Sequence, residues 1–218
     1  MVLAIYGAGG LGREVLMLAR QINQKDHRWD DYLFIDDFNP DRKIKDISVV
    51  KLEDTLSQSN EDSIEFVVAV GEPSLREKIF LKLKERNLQI ATLCHPSVYI
   101  DESVEIGEGT IICQNVFVSC DLKIGDNILI QPGVNVGHDC TIQSNCVISS
   151  GVTVAGNCKI EKNTYIGMNV PIKENICIGY DTIIGMGSAV FKNIPDSIIA
   201  LGNPARPMRK NEEKKVFK

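Results

Sequence analysis

No run of apolar residues in this 218-residue chain approaches the ~20 needed to cross a bilayer, so membrane insertion is not expected. The start, Met1-Val2-Leu3-Ala4-Ile5-Tyr6-Gly7, has neither the basic flank nor the cleavage site of a secretory leader. A cytoplasmic location is therefore expected. Neither charge sign dominates: 24 Lys and Arg face 29 Asp and Glu. The net charge of −5 supplies no general field for nucleic acid or anionic lipid, and neither partner is expected. Cysteine occurs seven times, an odd number with no CxxC spacing, which argues against a disulfide framework and a zinc knuckle. Histidine is scarce, with only His27, His95 and His138. A metal site built on three imidazoles, as in a β-helical carbonic anhydrase, fails on counting, because only His95 and His138 lie near or within the part of the chain, from Ile100 onward, that would form a β-helix.

What is present divides into two halves with different periods. Up to about residue 93, short apolar runs alternate with helical patterns. Val2–Tyr6 reads as a buried strand, followed by the loop Gly7-Ala8-Gly9-Gly10-Leu11-Gly12. A helix from Arg13 to about Gln24 follows, with apolar positions at Val15, Leu16, Leu18, Ala19 and Ile22. Tyr32–Ile35 and Glu65–Val70 read as further strands, and a helix starts near Pro73, where a first turn tolerates proline. This is βαβ logic, a Rossmann-like parallel sheet with helices packed on it.

From Ile100 the period becomes six. Every sixth residue from Ile100 to Val190 is Ile or Val, sixteen positions without exception. Short strands joined by tight turns, wound into a parallel β-helix, produce such a pattern. The positions four residues later (Val104, Thr110, Val116, Leu122, Ile128, Val134, Cys140, Cys146, Val152, Cys158) form a second inward stack. That makes the three cysteines small core residues rather than nucleophiles. Glycine follows the hexad position at Gly107, Gly125, Gly137, Gly167, Gly179 and Gly185, where turns are expected to need a permissive backbone. Three hexads per triangular coil give about five coils.

These hexads, with Gly7-Ala8-Gly9-Gly10-Leu11-Gly12, Phe34-Ile35-Asp36-Asp37, Val70-Gly71-Glu72 and Cys94-His95-Pro96-Ser97, resemble the hexapeptide-repeat sugar O-acyltransferase family. That family holds sialic acid O-acetyltransferases and UDP-amino-sugar N-acetyltransferases. The resemblance, over roughly residues 2 to 207, implies a left-handed winding, a homotrimer, acetyl-CoA as co-substrate and a role in surface-glycan biosynthesis. The expected organisation is a nucleotide-sugar-binding domain over 1–93, a left-handed β-helix acetyltransferase domain over 94–207 and a flexible tail over 208–218.

Acetyl transfer needs a base for the attacking amine or hydroxyl, and an imidazole of unperturbed pKa ~6.5 suits that work at neutral pH. His138, two residues after inward-facing Val136, should face outward at a coil corner. The resemblance gives Asp139 the role of orienting it. His95, before a proline at the domain junction, reads as structural, and His27 as solvated. Gly7-x-Gly9-x-x-Gly12 lies between a strand and a helix, the context of a phosphate-cradling turn. Asp36 ends the second strand, where an acidic side chain meets a ribose. An NAD site is the rival reading, but about 93 residues amount to one mononucleotide-binding half.

The resemblance implies a sugar or UDP-sugar site lined by Gly9, Gly10, Leu11, Asp36, Asp37 and Gly71, although UDP-sugar-binding members often carry histidine where Leu11 stands. It implies an acetyl-CoA groove at Ala155-Gly156-Asn157, Met168 and Gly185-Met186-Gly187. Gly156 N–H would polarise the thioester oxygen. Val147 stands where some relatives place a histidine against the acetyl group. Lys192 and Arg206, the latter in Gly202-Asn203-Pro204-Ala205-Arg206-Pro207, are candidates for CoA phosphates. A non-catalytic trimer binding nucleotide-sugar and CoA is the alternative to the enzyme.

Overall fold

The computed structural model describes residues 1–58 and 63–217. The first half is a five-stranded sheet in the order β3-β4-β2-β1-β5. Its strands are β1 (Val2–Tyr6), β2 (Asp31–Ile35), β3 (Arg42–Ile44), β4 (Ile47–Val50) and β5 (Ile64–Val68). All pairs are parallel except β3–β4. The helices are α1 (Gly10–Asp26), α2 (Leu52–Gln58) and α3 (Pro73–Glu85). The β3–β4 hairpin and α2 are additions to the sequence reading. Both are too short for a periodic signal, and the hairpin turns on Lys45 and Asp46 at positive φ rather than on glycine.

The expected amphipathic helix is present, with Val15, Leu16, Leu18, Ala19 and Ile22 buried against the sheet. His27 caps its C-terminus at φ 49, donating its N–H to Asn23 O.

The second half is a left-handed parallel β-helix. Two-residue strands pair with a constant offset of one coil, as Lys123 with Thr141 and Leu129 with Val147. The hexad Ile and Val residues from Ile112 to Val190 are at most 5% exposed, and they form one column with the second stack from Val116 onward. Cys140, Cys146 and Cys158 are core residues in it.

The turn chemistry differs from the sequence expectation. The glycine directly after the hexad residue does not supply the left-handed turn. A Cβ at Gly137 would lie 2.8 Å from Gly156 N of the next coil, so these glycines serve close approach of the chain. The left-handed residue comes two positions later. Every residue three places after a hexad Ile or Val, from Gly109 to Gly187, has positive φ and is Gly, Asn or Asp. Asn and Asp are the side chains that tolerate this region.

The three faces carry different chemistry. Outward residues of the first (Ile111, Leu129, Val147 and Tyr165) are apolar and lie in a cluster with Leu3, Val15, Leu18 and Phe34 of the N-terminal sheet and helix. Those of the second (Glu105, Lys123, Thr141, Lys159 and Cys177) are mostly charged. Those of the third (Phe117, Asn135, Thr153 and Pro171) are exposed and uncharged.

Arg76 of α3 pins the two halves. It is fully buried and donates to Val68 O, Val70 O, Asn127 O and Asn127 Oδ1. Burial pulls its guanidinium down to about 9. With its donors met by carbonyls, the cation saturates acceptors at the end of β5 and on a β-helix turn.

The described residues of the expected tail, 208–217, make contacts with the rest of the fold. Arg206–Lys210 pairs antiparallel with Ile198–Leu201, and Asn211, Lys214, Val216 and Phe217 make further contacts. Lys218 lies outside the described residues. Among those described, no helix is long and apolar enough to cross a membrane.

Candidate active site

His138 sits at the corner between the uncharged and the charged faces. Its position follows from the repeat: Val136 points inward, Gly137 hugs the next coil, and Asp139 takes the left-handed turn at φ 57. The side chain is 63% exposed and points out of the prism. Its Nδ1 lies 2.7 Å from Asp139 Oδ2. A carboxylate there favours the tautomer with the proton on Nδ1, which leaves the Nε2 lone pair for an incoming proton.

One coil on, the residue at the equivalent turn position is Gly156. A Cβ built there would lie 2.6 Å from both Cε1 and Nε2 of His138. The imidazole therefore rests in the space that Gly156 leaves. Among the described residues no acceptor takes the Gly156 N–H. A backbone donor beside a base is the arrangement an oxyanion needs.

Met168 and Met186 stand on a different corner, between the covered and the uncharged faces, 44% and 71% exposed. Beside Met168 a groove of about 350 Å³ runs between α1 and the β-helix. Leu11, Glu14, Met17 and Gln21 line one side, and Gln114, Gln131, Pro132 and Ser150 the other. Val147 is not brought to either corner. It is 2% exposed, inside the interdomain cluster with Ile111 and Leu129. Lys192 and Arg206 line a second hollow near the C-terminal end of the prism.

The proposed sugar-site residues lie at the C-terminal ends of β2, β1 and β5. Gly9 and Gly10 are exposed. The glycines of the loop differ in role. A Cβ at Gly7 or Gly12 would collide with Ala69 O or Gly7 O, whereas one at Gly9 would meet nothing within 4 Å. Gly9 caps α1 without a side-chain bond, and the first turn carries no acidic residue, so its N–H groups remain for an anion.

Asp36 and Asp37 are partly engaged within the fold. Burial raises the Asp36 carboxyl, but Arg42 and the amides of Asn39 and Phe38 outweigh it and hold it below its ordinary value. For Asp37, burial is likewise outweighed by Leu52 N, Tyr6 OH and Lys82. Gly71 follows β5, facing Leu11 and Phe217. Among the described residues the His95 ring bonds only to Ser97, two positions on, as a local turn element.

An α/β domain seated on a hexapeptide β-helix, with an outward imidazole over a glycine, defines a hexapeptide-repeat transferase. Residues 2–83 match the family described as PglD N-terminal domain, and residues 121–156 match bacterial transferase hexapeptide (six repeats). WeeI from Acinetobacter baumannii AYE is 31% identical, with a TM-score of 0.88 over 95% of this chain and 100% of that one. The acetyltransferase domain of PglB from Neisseria gonorrhoeae FA1090, in complex with acetyl coenzyme A, is 26% identical, with a TM-score of 0.88 over 95% and 98%. PerB from Caulobacter crescentus, in complex with CoA and GDP-perosamine, is 27% identical, with a TM-score of 0.87 over 96% and 98%. The chain belongs to this family of hexapeptide-repeat sugar acetyltransferases.

Sequence reasoning missed Glu14, Gln21, Gln114 and Gln131, whose groove exists only once α1 lies along a corner. The spacing of Gln114, Gln131 and Ser150, close to one coil each, is the signal that could have shown them on one edge.

Proposed function

We propose that the protein transfers acetyl from acetyl-CoA to an amino group of a nucleotide-linked sugar, with His138 as general base. The observation that carries this reading is the His138 imidazole held between Asp139 and the open backbone of Gly156. The sugar amine attacks the thioester carbonyl carbon while Nε2 takes its proton. The oxyanion is met by Gly156 N–H, and the CoA thiolate leaves, receiving the proton from the imidazolium. Asp139 orients the ring and stabilises its charged form.

The working unit is a homotrimer in this reading. Within one chain His138 and the Met168 groove occupy the two edges that flank the uncharged face. Three copies packed through that face around an axis bring the His138 edge of one against the groove edge of the next. Phe117, 57% exposed on it, would be covered. Acetyl-CoA would lie along this junction, reaching Gly156 on one side and Met168 and Met186 on the other. Residues 1–93 would hold the nucleotide-sugar at Gly9, Gly10, Leu11, Asp36, Asp37 and Gly71, and residues 94–207 would perform the transfer. The complexes of the PglB domain with acetyl coenzyme A and of PerB with CoA and GDP-perosamine support both substrate classes. Seven free thiols accord with a reducing cytoplasm, where nucleotide-sugars for surface glycans are built.

The test is thiol release from acetyl-CoA against a panel of UDP- and GDP-linked amino sugars and free sialic acid, with mass spectrometry of the product. An N-acetylated nucleotide-sugar is the expected product. An O-acetylated product moves the chain to the hydroxyl-directed branch. Binding of acetyl-CoA with no transfer to any acceptor supports the non-catalytic trimer instead.

A further inference from the structure

The C-terminal segment returns to the sugar-binding domain and is fastened at three points. Asn211 donates from its backbone to Ser197 O and from Nδ2 to Asp181 O, each at 2.8 Å. Lys214 pairs with the buried carboxylate of Asp181 at 2.8 Å. The backbone N–H groups of Val216 and Phe217 donate to the Glu72 carboxylate at 2.9 and 3.1 Å. Glu72 is the residue after Gly71, in the crevice outside the C-terminal ends of β1 and β5 where the strand order reverses. That is the place where open α/β sheets take their ligands.

Phe217 stands edge-on to Tyr165 of the β-helix, with ring centroids 5.7 Å apart. A Cβ on Gly71 would lie 3.6 Å from Phe217 Cε2 and 3.9 Å from Leu11 Cδ2, so both side chains converge on Gly71. The ring keeps an open side, since Phe217 remains 55% exposed. Leu11 also lines the groove toward Met168. Across the sheet the order is β2, β1, β5, so Asp36 marks the ribose end, the glycine loop the diphosphate, and Phe217 with Leu11 the end beyond it.

We propose that Phe217 is a substrate-binding residue: the C-terminal segment delivers its ring as an apolar wall against the sugar of the nucleotide-sugar, where the C–H face of a pyranose packs on the open aromatic side. This rests on the nucleotide-sugar reading above.

The experiment compares wild type, Phe217→Ala, Phe217→Tyr and Glu72→Ala in steady-state kinetics with the best nucleotide amino sugar of the panel, and measures inhibition by the matching nucleoside diphosphate. Phe217→Ala is expected to raise KM for the nucleotide-sugar about tenfold, a factor in the range of an aromatic stacking contact. Expected to hold within about twofold are kcat at saturation, KM for acetyl-CoA and the inhibition constant of the nucleoside diphosphate, which lacks the sugar. Phe217→Tyr should retain wild-type KM, and Glu72→Ala, which releases the Val216–Phe217 end of the segment, should follow Phe217→Ala. An unchanged or lowered nucleotide-sugar KM in Phe217→Ala overturns the inference and leaves the enzyme's assignment standing. So does an equal rise in the diphosphate inhibition constant, which would put the ring at the nucleoside. Wild type without turnover on any nucleotide-sugar overturns both.

Discussion

The imidazole of His138 occupies the volume that a methyl group on Gly156 would fill, the two separated by one coil of the β-helix. The equivalent turn positions in the neighbouring coils are Cys120 and Glu174, so the glycine is local to the imidazole and not a demand of the repeat. Gly156→Ala should keep the fold, because Gly156 is not at positive φ. It should push the ring from its place and cut kcat by about 10²-fold, as misplacement of a catalytic group by ~1 Å does. His138→Ala should cost about 10²–10⁴-fold. Circular dichroism together with thiol-release rates checks both. Wild-type turnover in Gly156→Ala would show that the ring has slack and that Gly156 does not position it.

On the proposed mechanism Asp139 has two duties, and substitution separates them. Its left-handed backbone is one the repeat fills with Asn at seven other turns, among them Asn157 and Asn175. Asp139→Asn should therefore leave the melting temperature within about 2 °C while removing the charge that orients Nδ1. The expected loss in kcat is about 10–10²-fold, the usual cost of an orienting partner. A fall in melting temperature matching the fall in rate would instead make Asp139 a turn residue only.

Much of this fold is legible in the sequence because one column of the β-helix core repeats β-branched Ile or Val at every coil face. Ile and Val at every sixth place leave a single solution, and that register alone puts His138 outside. The turns are less legible. Glycine after the hexad residue looks like a left-handed turn signal, yet the positive φ falls two positions later on Asn, Asp or a further Gly, because the first position is squeezed by the next coil. The site is half legible. Candidates adjacent in sequence, such as His138-Asp139 and Gly9-Gly10-Leu11, can be picked out from the sequence. Contacts made across the interdomain seam cannot: nothing in the sequence marks Arg76 as buried between the two halves or Phe217 as packed beside Gly71. Val147 shows the same effect in reverse, since its repeat position faces outward but the N-terminal domain covers it.

Acid should act on the N-terminal domain through Asp37. Its carboxyl is held below the ordinary 3.8, with Leu52 N, Tyr6 OH and Lys82 Nζ at 2.9, 2.5 and 3.0 Å outweighing burial. Between that depressed value and 3.8 the unfolded chain binds more protons than the folded one, so stability rises with pH across the window. The contribution is complete above the unfolded value and is lost as pH falls through the folded one. Asp37→Asn should lower stability at pH 7 by about 1–2 kcal/mol. Urea titrations at pH 7 and pH 3 should show the difference from wild type shrinking in acid. A difference independent of pH would assign the loss to packing instead of charge.

The division of the site between two edges of the prism makes the sharpest prediction about assembly. His138 belongs to the edge after Asn135–Val136 and the groove to the edge after Tyr165–Ile166, with the uncharged face between them. No motion within a rigid prism brings them together, so on the proposed mechanism each complete site draws on two copies. Subunits carrying His138→Ala and subunits carrying Met168→Arg, which fills the groove, should each assemble into inactive trimers. Co-expressed in equal amounts, they should recover about a quarter of wild-type turnover, since that share of junctions in randomly mixed closed trimers pairs an intact imidazole with an intact groove. Tandem affinity purification on two different tags isolates the mixed species. If those species are as inactive as their parents, the site completes itself within one chain and the shared-edge arrangement is wrong.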